Sequence, residues 1–101
     1  MHVDTASDIP AIPQLVRNPN DVVTERQLEL IALFAGGYDY HSIARMKFLS
    51  YNSVRRILAE ARDRVGARNL THLCMLCAEA GVIAKNGHGW IPVLVEGVVG
   101  E

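Results

Sequence analysis

Between Thr24 and Gly81 the chain repeats one signal: a helix-capping residue, a short amphipathic run, then a stop. Thr24, Asp39, Ser50 and Asn69 are of the N-cap type, whose side-chain oxygen accepts from an amide N–H left open in the first turn. Gly36-Gly37, Gly66 and Gly81 are stops, because glycine enters the left-handed region without steric cost. Punctuated this often, the segment is restricted to four short helices packed on one another.

The first helix opens with Thr24-Glu25-Arg26-Gln27, which fits a capping box, and Val23 and Leu28 stand where a hydrophobic staple needs them. Leu28, Ile31, Ala32 and Ala35 form its buried stripe, widened by Leu33 and Phe34. A second helix is predicted from about Tyr40 to Met46, with Ile43 and Ala44 buried. Lys47-Phe48-Leu49, which contains no glycine, connects it to the Ser50 cap. In the third helix Val54, Ile57, Leu58, Ala61 and Val65 recur at the spacing of one buried face. At 100° per residue the opposite face carries Asn52, Arg55, Arg56 and Ala59, with Asp63 further along. Two short helices joined by a tight turn, the second with a basic outer face, describe a helix-turn-helix.

The fourth helix, Leu70 to Ala80, contains six apolar residues in succession from Leu73 to Ala78. A helix apolar nearly all round is buried on more than one side. One side is assigned to the core and the other to a second subunit, which predicts a homodimer through Leu73, Met75, Leu76 and Cys77.

The ends differ from this middle. Residues 1–21 are aperiodic and interrupted by Pro10, Pro13 and Pro19, so they read as an extended or disordered arm that Ile9, Ile12, Leu15 and Val16 would dock. Residues 22–81 form the helical domain and residues 82–101 a β tail. In the tail, Val82–Lys85 and His88–Val95 read as two short strands around an Asn86-Gly87 turn, with Pro92 confining the second to an edge. Trp90 is expected to pack this hairpin onto the helices, and Leu94 to Val99 offer a further strand.

The length of 101 residues supports one small domain. No apolar run reaches the ~18 residues a membrane helix requires, and the N-terminus has no basic region followed by an apolar one. With two cysteines and no export signal, a reduced cytoplasmic setting and no membrane partner are expected. From Arg45 to Arg68 seven basic residues stand against two acidic ones, a local charge of +5 that leaves −6 for the rest of a chain of net charge −1. A local basic patch binds phosphate even on an acidic chain.

Chemistry of other kinds is not indicated. Six aromatic residues are too few for a large aromatic cavity, and of the three tyrosines Tyr38 is assigned to the core. There is no nucleophile beside a base, no phosphate-cradling glycine loop and no pair of carboxylates, so no enzyme is expected. Cys74 and Cys77 have the C-x-x-C spacing of redox and zinc sites, with His72 and His88 the available further ligands. They lie in an apolar helix without a second pair and read as small hydrophobes, so neither a metal nor a cofactor is expected.

With these pieces in order, residues 23–80 resemble the LuxR/GerE-type helix-turn-helix domain of bacterial transcription regulators. The matching residues are Thr24 to Leu30, Ala35-Gly36-Gly37, Ile43-Ala44, Phe48-Leu49-Ser50, Ser53-Val54-Arg55 and Gly66 to Thr71, at the family's spacing without a gap. The resemblance implies a mainly α, four-helix domain whose third helix, residues 51–64, enters the DNA major groove and whose fourth mediates dimerisation. Arg55 and Arg56, with Ala59 one turn on, match positions that face base edges; Ser50, Asn52 and Ser53 match positions that hold phosphates. The implied function is sequence-specific DNA binding in transcription regulation.

Three positions depart from the family pattern: Ser42 replaces a glutamate, Lys47 an apolar residue and His72 an acidic residue. Lys47 is thereby available for phosphate. The alternative function is a protein-interaction module on the same fold, which uses its apolar fourth helix and tail to bind RNA polymerase or another regulator without binding DNA. Region four of sigma factors shares the helix-turn-helix, but the Gly66-Ala67-Arg68-Asn69 linker and the fourth helix favour the LuxR/GerE resemblance.

Overall fold

In a computed structural model, which describes residues 16–93, every helix expected from the caps and stops is present. The order is α1 (Pro19–Val22), α2 (Glu25–Ala35), α3 (Tyr40–Lys47), α4 (Tyr51–Val65), α5 (Leu70–Ala80), β1 (Ile83–Asn86) and β2 (Gly89–Pro92). The protein is thus mainly helical, with one small antiparallel sheet.

The capping box is complete: Gln27 N–H donates to Thr24 Oγ1 at 3.1 Å, and Thr24 N–H to Gln27 Oε1 at 3.0 Å. Val23 and Leu28 beside it are fully buried. Asp39 accepts from Ser42 N–H at 2.8 Å, Ser50 from Ser53 N–H at 3.0 Å and Asn69 from His72 N–H at 2.8 Å. His72 Nδ1 in turn reaches back to accept the Arg68 N–H at 3.0 Å.

The ends of α2, α3, α4 and α5 share one geometry. A residue with positive φ turns the chain, and the N–H that follows it bonds a carbonyl five residues back, the Schellman pattern. Tyr38 bonds Leu33 at 3.2 Å around Gly37, Ala67 bonds Arg62 at 3.0 Å around Gly66, and Val82 bonds Cys77 at 3.0 Å around Gly81. Helix α3 ends the same way, with Leu49 N–H to Ala44 O at 2.9 Å, but the turning residue is Phe48 at φ 57° and ψ 45°. The connection therefore dispenses with glycine by holding a phenylalanine in the left-handed region.

The core sits around α2, which packs against α3, α4, α5 and β2. Leu28, Leu30, Ile31, Ile43, Val54, Leu58, Val65 and Leu73 are its large fully buried side chains. The five residues expected to face inward from α4 are all buried. Trp90 packs the hairpin against this core, as expected.

Four expectations need correction. The arm assigned to residues 1–21 contains α1, too short to show a period. Asn18 caps it by accepting from Asn20 N–H at 2.9 Å, and Pro19 occupies its first turn, where a missing N–H costs nothing. Arg17 N–H then bonds Val65 O at 2.7 Å, tying the segment to the end of α4. The rest of the arm, residues 1–15, and the further strand from Leu94 lie outside the described residues.

The hairpin turn is Gly87-His88 rather than Asn86-Gly87, because Asn86 pairs with Gly89. Gly87 alone in the turn has positive φ, the requirement of a type II′ turn, whereas a type I′ turn needs it at both central residues. Tyr38, assigned to the core, is 46% exposed; its backbone closes α2 while Phe34 and Tyr40 take the packing positions.

The fourth correction concerns α5. Its second side is covered from within the chain, by α1 and β1. Leu73 and Cys77 belong to the chain's own core at 1% and 0% exposure, so neither is available to a second subunit. Of the four interface residues expected, Met75 is exposed at 58% and Leu76 is half-buried.

Candidate nucleic-acid interface

Helix α4 presents its outer face as the periodicity requires. Asn52, Arg55 and Arg56 are exposed, Ala59 is half-buried, and the four line one shallow recess. With Val54, Ile57 and Leu58 fixed in the core between them, the polar side chains have no other direction to take. Ser50 and Ser53 sit at the N-terminal end of this face. Ser50 Oγ caps the helix and also bonds Ser53 Oγ at 2.9 Å, so the pair is held as a unit.

The cations around the recess are held differently. Lys47 Nζ is 2.9 Å from Glu29 Oε1, an acid on α2 that lies eighteen positions earlier. Arg56 is 3.6 Å from Glu60 one turn along α4, and Arg62 Nε bonds Asp63 at 2.9 Å. These pairs are partly or fully exposed to solvent, where an ion pair contributes about 0–1 kcal/mol. Arg55 instead lies over an aromatic ring, with its guanidinium carbon 6.0 Å from the centroid of Tyr51. On the neighbouring helix, the Ser42 N–H donated to Asp39 holds that carboxylate below its ordinary pKa. Sequence periodicity placed the face but gave no sign of the Lys47–Glu29 pair or of the Tyr51 contact, which join different elements or depend on ring orientation.

All seven residues expected at a DNA face thus lie on, or next to, the N-terminal half of α4. Arg62 and Arg64 continue beyond it. The chain matches no family model, no curated protein and no solved structure. Function must therefore be argued from the geometry.

A second surface feature is mostly apolar, with Thr71 and Glu79 at its polar side. Phe34 and Ala35 of α2, Cys74, Met75 and Ala78 of α5, and Ile83 and Trp90 of the hairpin line a cleft of about 440 Å³. Cys74 borders it and Cys77 lies behind in the core. Burial raises the Cys74 thiol to about 11 and Cys77 to about 12, so both stay protonated at neutral pH and are poor nucleophiles and metal ligands. Among the described residues no three His, Cys, Asp or Glu side chains are grouped to hold a metal ion, and no helix is long and apolar enough to cross a membrane.

Proposed function

We propose that the protein is a sequence-specific DNA-binding transcription regulator whose recognition element is α4, as the LuxR/GerE resemblance of residues 23–80 implies. The observation that carries this reading is the grouping of Asn52, Arg55 and Arg56 as exposed neighbours on a helix whose opposite side is fully buried. Arginine guanidinium groups match guanine O6 and N7 in the major groove, and an asparagine amide N–H donates to a phosphate oxygen. In this reading Arg55 and Arg56 face bases, and Ala59 offers a methyl contact. Ser50, Asn52, Ser53 and Lys47 lie against phosphates, and Lys47 exchanges Glu29 for the DNA backbone. A second copy would pair through Met75 and Leu76, the members of the expected interface that the core leaves over.

Fluorescence anisotropy with duplexes selected from a random library tests the proposal. The wild-type chain should bind with an affinity that falls steeply as salt rises, because each neutralised phosphate releases counterions. Arg55→Ala should cost about 1–3 kcal/mol on the selected duplex and relax its preference at one base pair. A salt-independent or absent interaction would remove the DNA reading.

The rival is a protein-interaction module that binds a regulator or RNA polymerase. The apolar cleft between α2, α5 and the hairpin favours it, since concave apolar surface of this size receives partner side chains. That reading is left standing if duplex binding is absent and Met75→Glu abolishes capture of the partner.

A further inference from the structure

Four aromatic rings and one guanidinium form a connected column beside the recess. Phe34, packed against the core, contacts Tyr40 with ring centroids 6.1 Å apart. Tyr40 meets Tyr51 at 5.6 Å and 73°, an edge-to-face contact. His41 stacks on Tyr51 at 4.4 Å and 25°, and the Arg55 guanidinium completes the column at 6.0 Å from the Tyr51 centroid. Tyr51 is the first residue of α4 and Arg55 is one turn further on, the i, i+4 spacing at which helical side chains meet.

Three of these rings come from α2 and α3, so the orientation of Tyr51 is set by elements that do not belong to its own helix. The column thereby ties a side chain on the recognition face to the core. A ring and a carboxylate do not hold a guanidinium in the same way. A carboxylate occupies the N–H donors, as Glu60 does with Arg56. An aromatic ring attracts the charge without supplying carboxylate oxygens, so the N–H groups remain open for a bidentate acceptor. Holding the side chain in advance also reduces the rotamer freedom lost on binding. At 6.0 Å the contact lies at the outer limit of cation–π attraction, so its effect is on direction rather than on the stability of the fold.

We propose that Tyr51, held by Tyr40 and His41, is the positioning residue that directs Arg55 toward a base, and that the two act as one specificity unit. This rests on the DNA-binding reading above. The consequence is a division of work between neighbours: Arg55 is directed by an aromatic ring toward a base, whereas Arg56 is balanced by Glu60.

The test uses the full chain, the selected duplex, the same duplex with the Arg55-dependent base pair replaced, and an unrelated duplex of equal length. Tyr51→Leu should weaken the selected duplex by about two- to fivefold while leaving the unrelated duplex unchanged at the same salt. Its discrimination against the replaced base pair should shrink, and Tyr51→Phe should restore it. In the Arg55→Ala background Tyr51→Leu should have no additional effect. His41→Ala, an exposed change made in case Tyr51→Leu misfolds, should reduce discrimination in the same direction. The proposal is overturned if discrimination survives Tyr51→Leu, or survives His41→Ala where Tyr51→Leu does not fold, or if the Tyr51 and Arg55 losses add. A wild-type chain that shows no salt-dependent duplex binding overturns the DNA reading and this inference together. A chain that discriminates through Arg55 but not through Tyr51 overturns the inference alone.

Discussion

Phe48 is the residue at which this fold departs most from what its neighbours do, and replacing it by glycine should stabilise the protein. It turns the chain at the end of α3 with φ 57° and ψ 45°, the role that Gly37, Gly66 and Gly81 play at the other helix ends. A side chain in this region costs roughly 1–2 kcal/mol through contact of Cβ with the backbone. Against that, glycine adds about 0.5–1 kcal/mol of backbone freedom to the unfolded state. The ring itself contributes little. At 94% exposure it buries only a small part of the roughly 200 Å² an aromatic side chain can bury, which is worth about 0.3 kcal/mol. With central values the balance favours Phe48→Gly by about 0.5 kcal/mol, and for a domain of this size the melting temperature should rise by roughly 2–4 °C. Phe48→Ala keeps the strain and loses almost no contact, so it should stay within about 0.5 kcal/mol of wild type. Thermal and urea unfolding followed by far-ultraviolet circular dichroism measure both variants. A lower melting temperature for Phe48→Gly, or a loss above about 1 kcal/mol for Phe48→Ala, would refute the reasoning, because the ring would then have a folded-state partner.

Two further outcomes follow from the same structure. Thr24→Ala removes one half of the capping box at the start of the central helix and should cost about 0.5–2 kcal/mol of unfolding free energy, read as a lower urea midpoint at unchanged slope. The cysteines predict an alkaline limit. Their folded values of about 11 and about 12 lie above the ordinary thiol value of 9.0, so the unfolded chain loses its thiol protons first as pH rises. The contribution of these two groups should be constant below about pH 8 and fall as pH climbs from about 9 towards 12. Cys74→Ala/Cys77→Ala should be less stable than wild type at neutral pH yet show a smaller drop across that window; an equal drop would show that other groups carry it.

The legible part of this fold is local. Each N-cap, each glycine stop and the inward face of α4 can be read from side-chain chemistry and a period of 3.6, because both act within one or two turns of helix. What escaped depends on contacts between distant positions. Helix α1 has four residues, too few for a period, and is fixed by Arg17 bonding the end of α4. Six consecutive apolar residues on α5 look alike in sequence, yet Leu73 and Cys77 enter the core while Met75 faces out. The expected second subunit is partly replaced by α1 and β1 because these short elements supply the cover that a partner was expected to bring. At the candidate site the residues were readable, but their partners were not: Glu29 reaches Lys47 across two helices, and Tyr51 is oriented by rings from α2 and α3.

If the proposed reading holds, these partners bear on how a chain of net charge −1 would select DNA. Glu29, Glu60 and Asp63 each lie within ion-pair distance of a cation at or beside the recess. The exposed pairs add little to folding, so their main electrostatic effect is to lower the positive potential that any phosphate meets. On the proposed reading, Lys47 must give up the Glu29 carboxylate before it neutralises a phosphate, and the displaced acid then faces the DNA backbone. That cost is the same for every sequence and weakens non-specific and specific binding alike. Arg55 has no such exchange to make with Tyr51, because an aromatic ring offers its guanidinium no carboxylate oxygen that must be displaced. On that reading the Arg55 base contact would form without the loss that Lys47 and Arg56 carry. A face arranged in this way would keep general affinity low, so that a larger share of the total binding would depend on the base pair Arg55 meets.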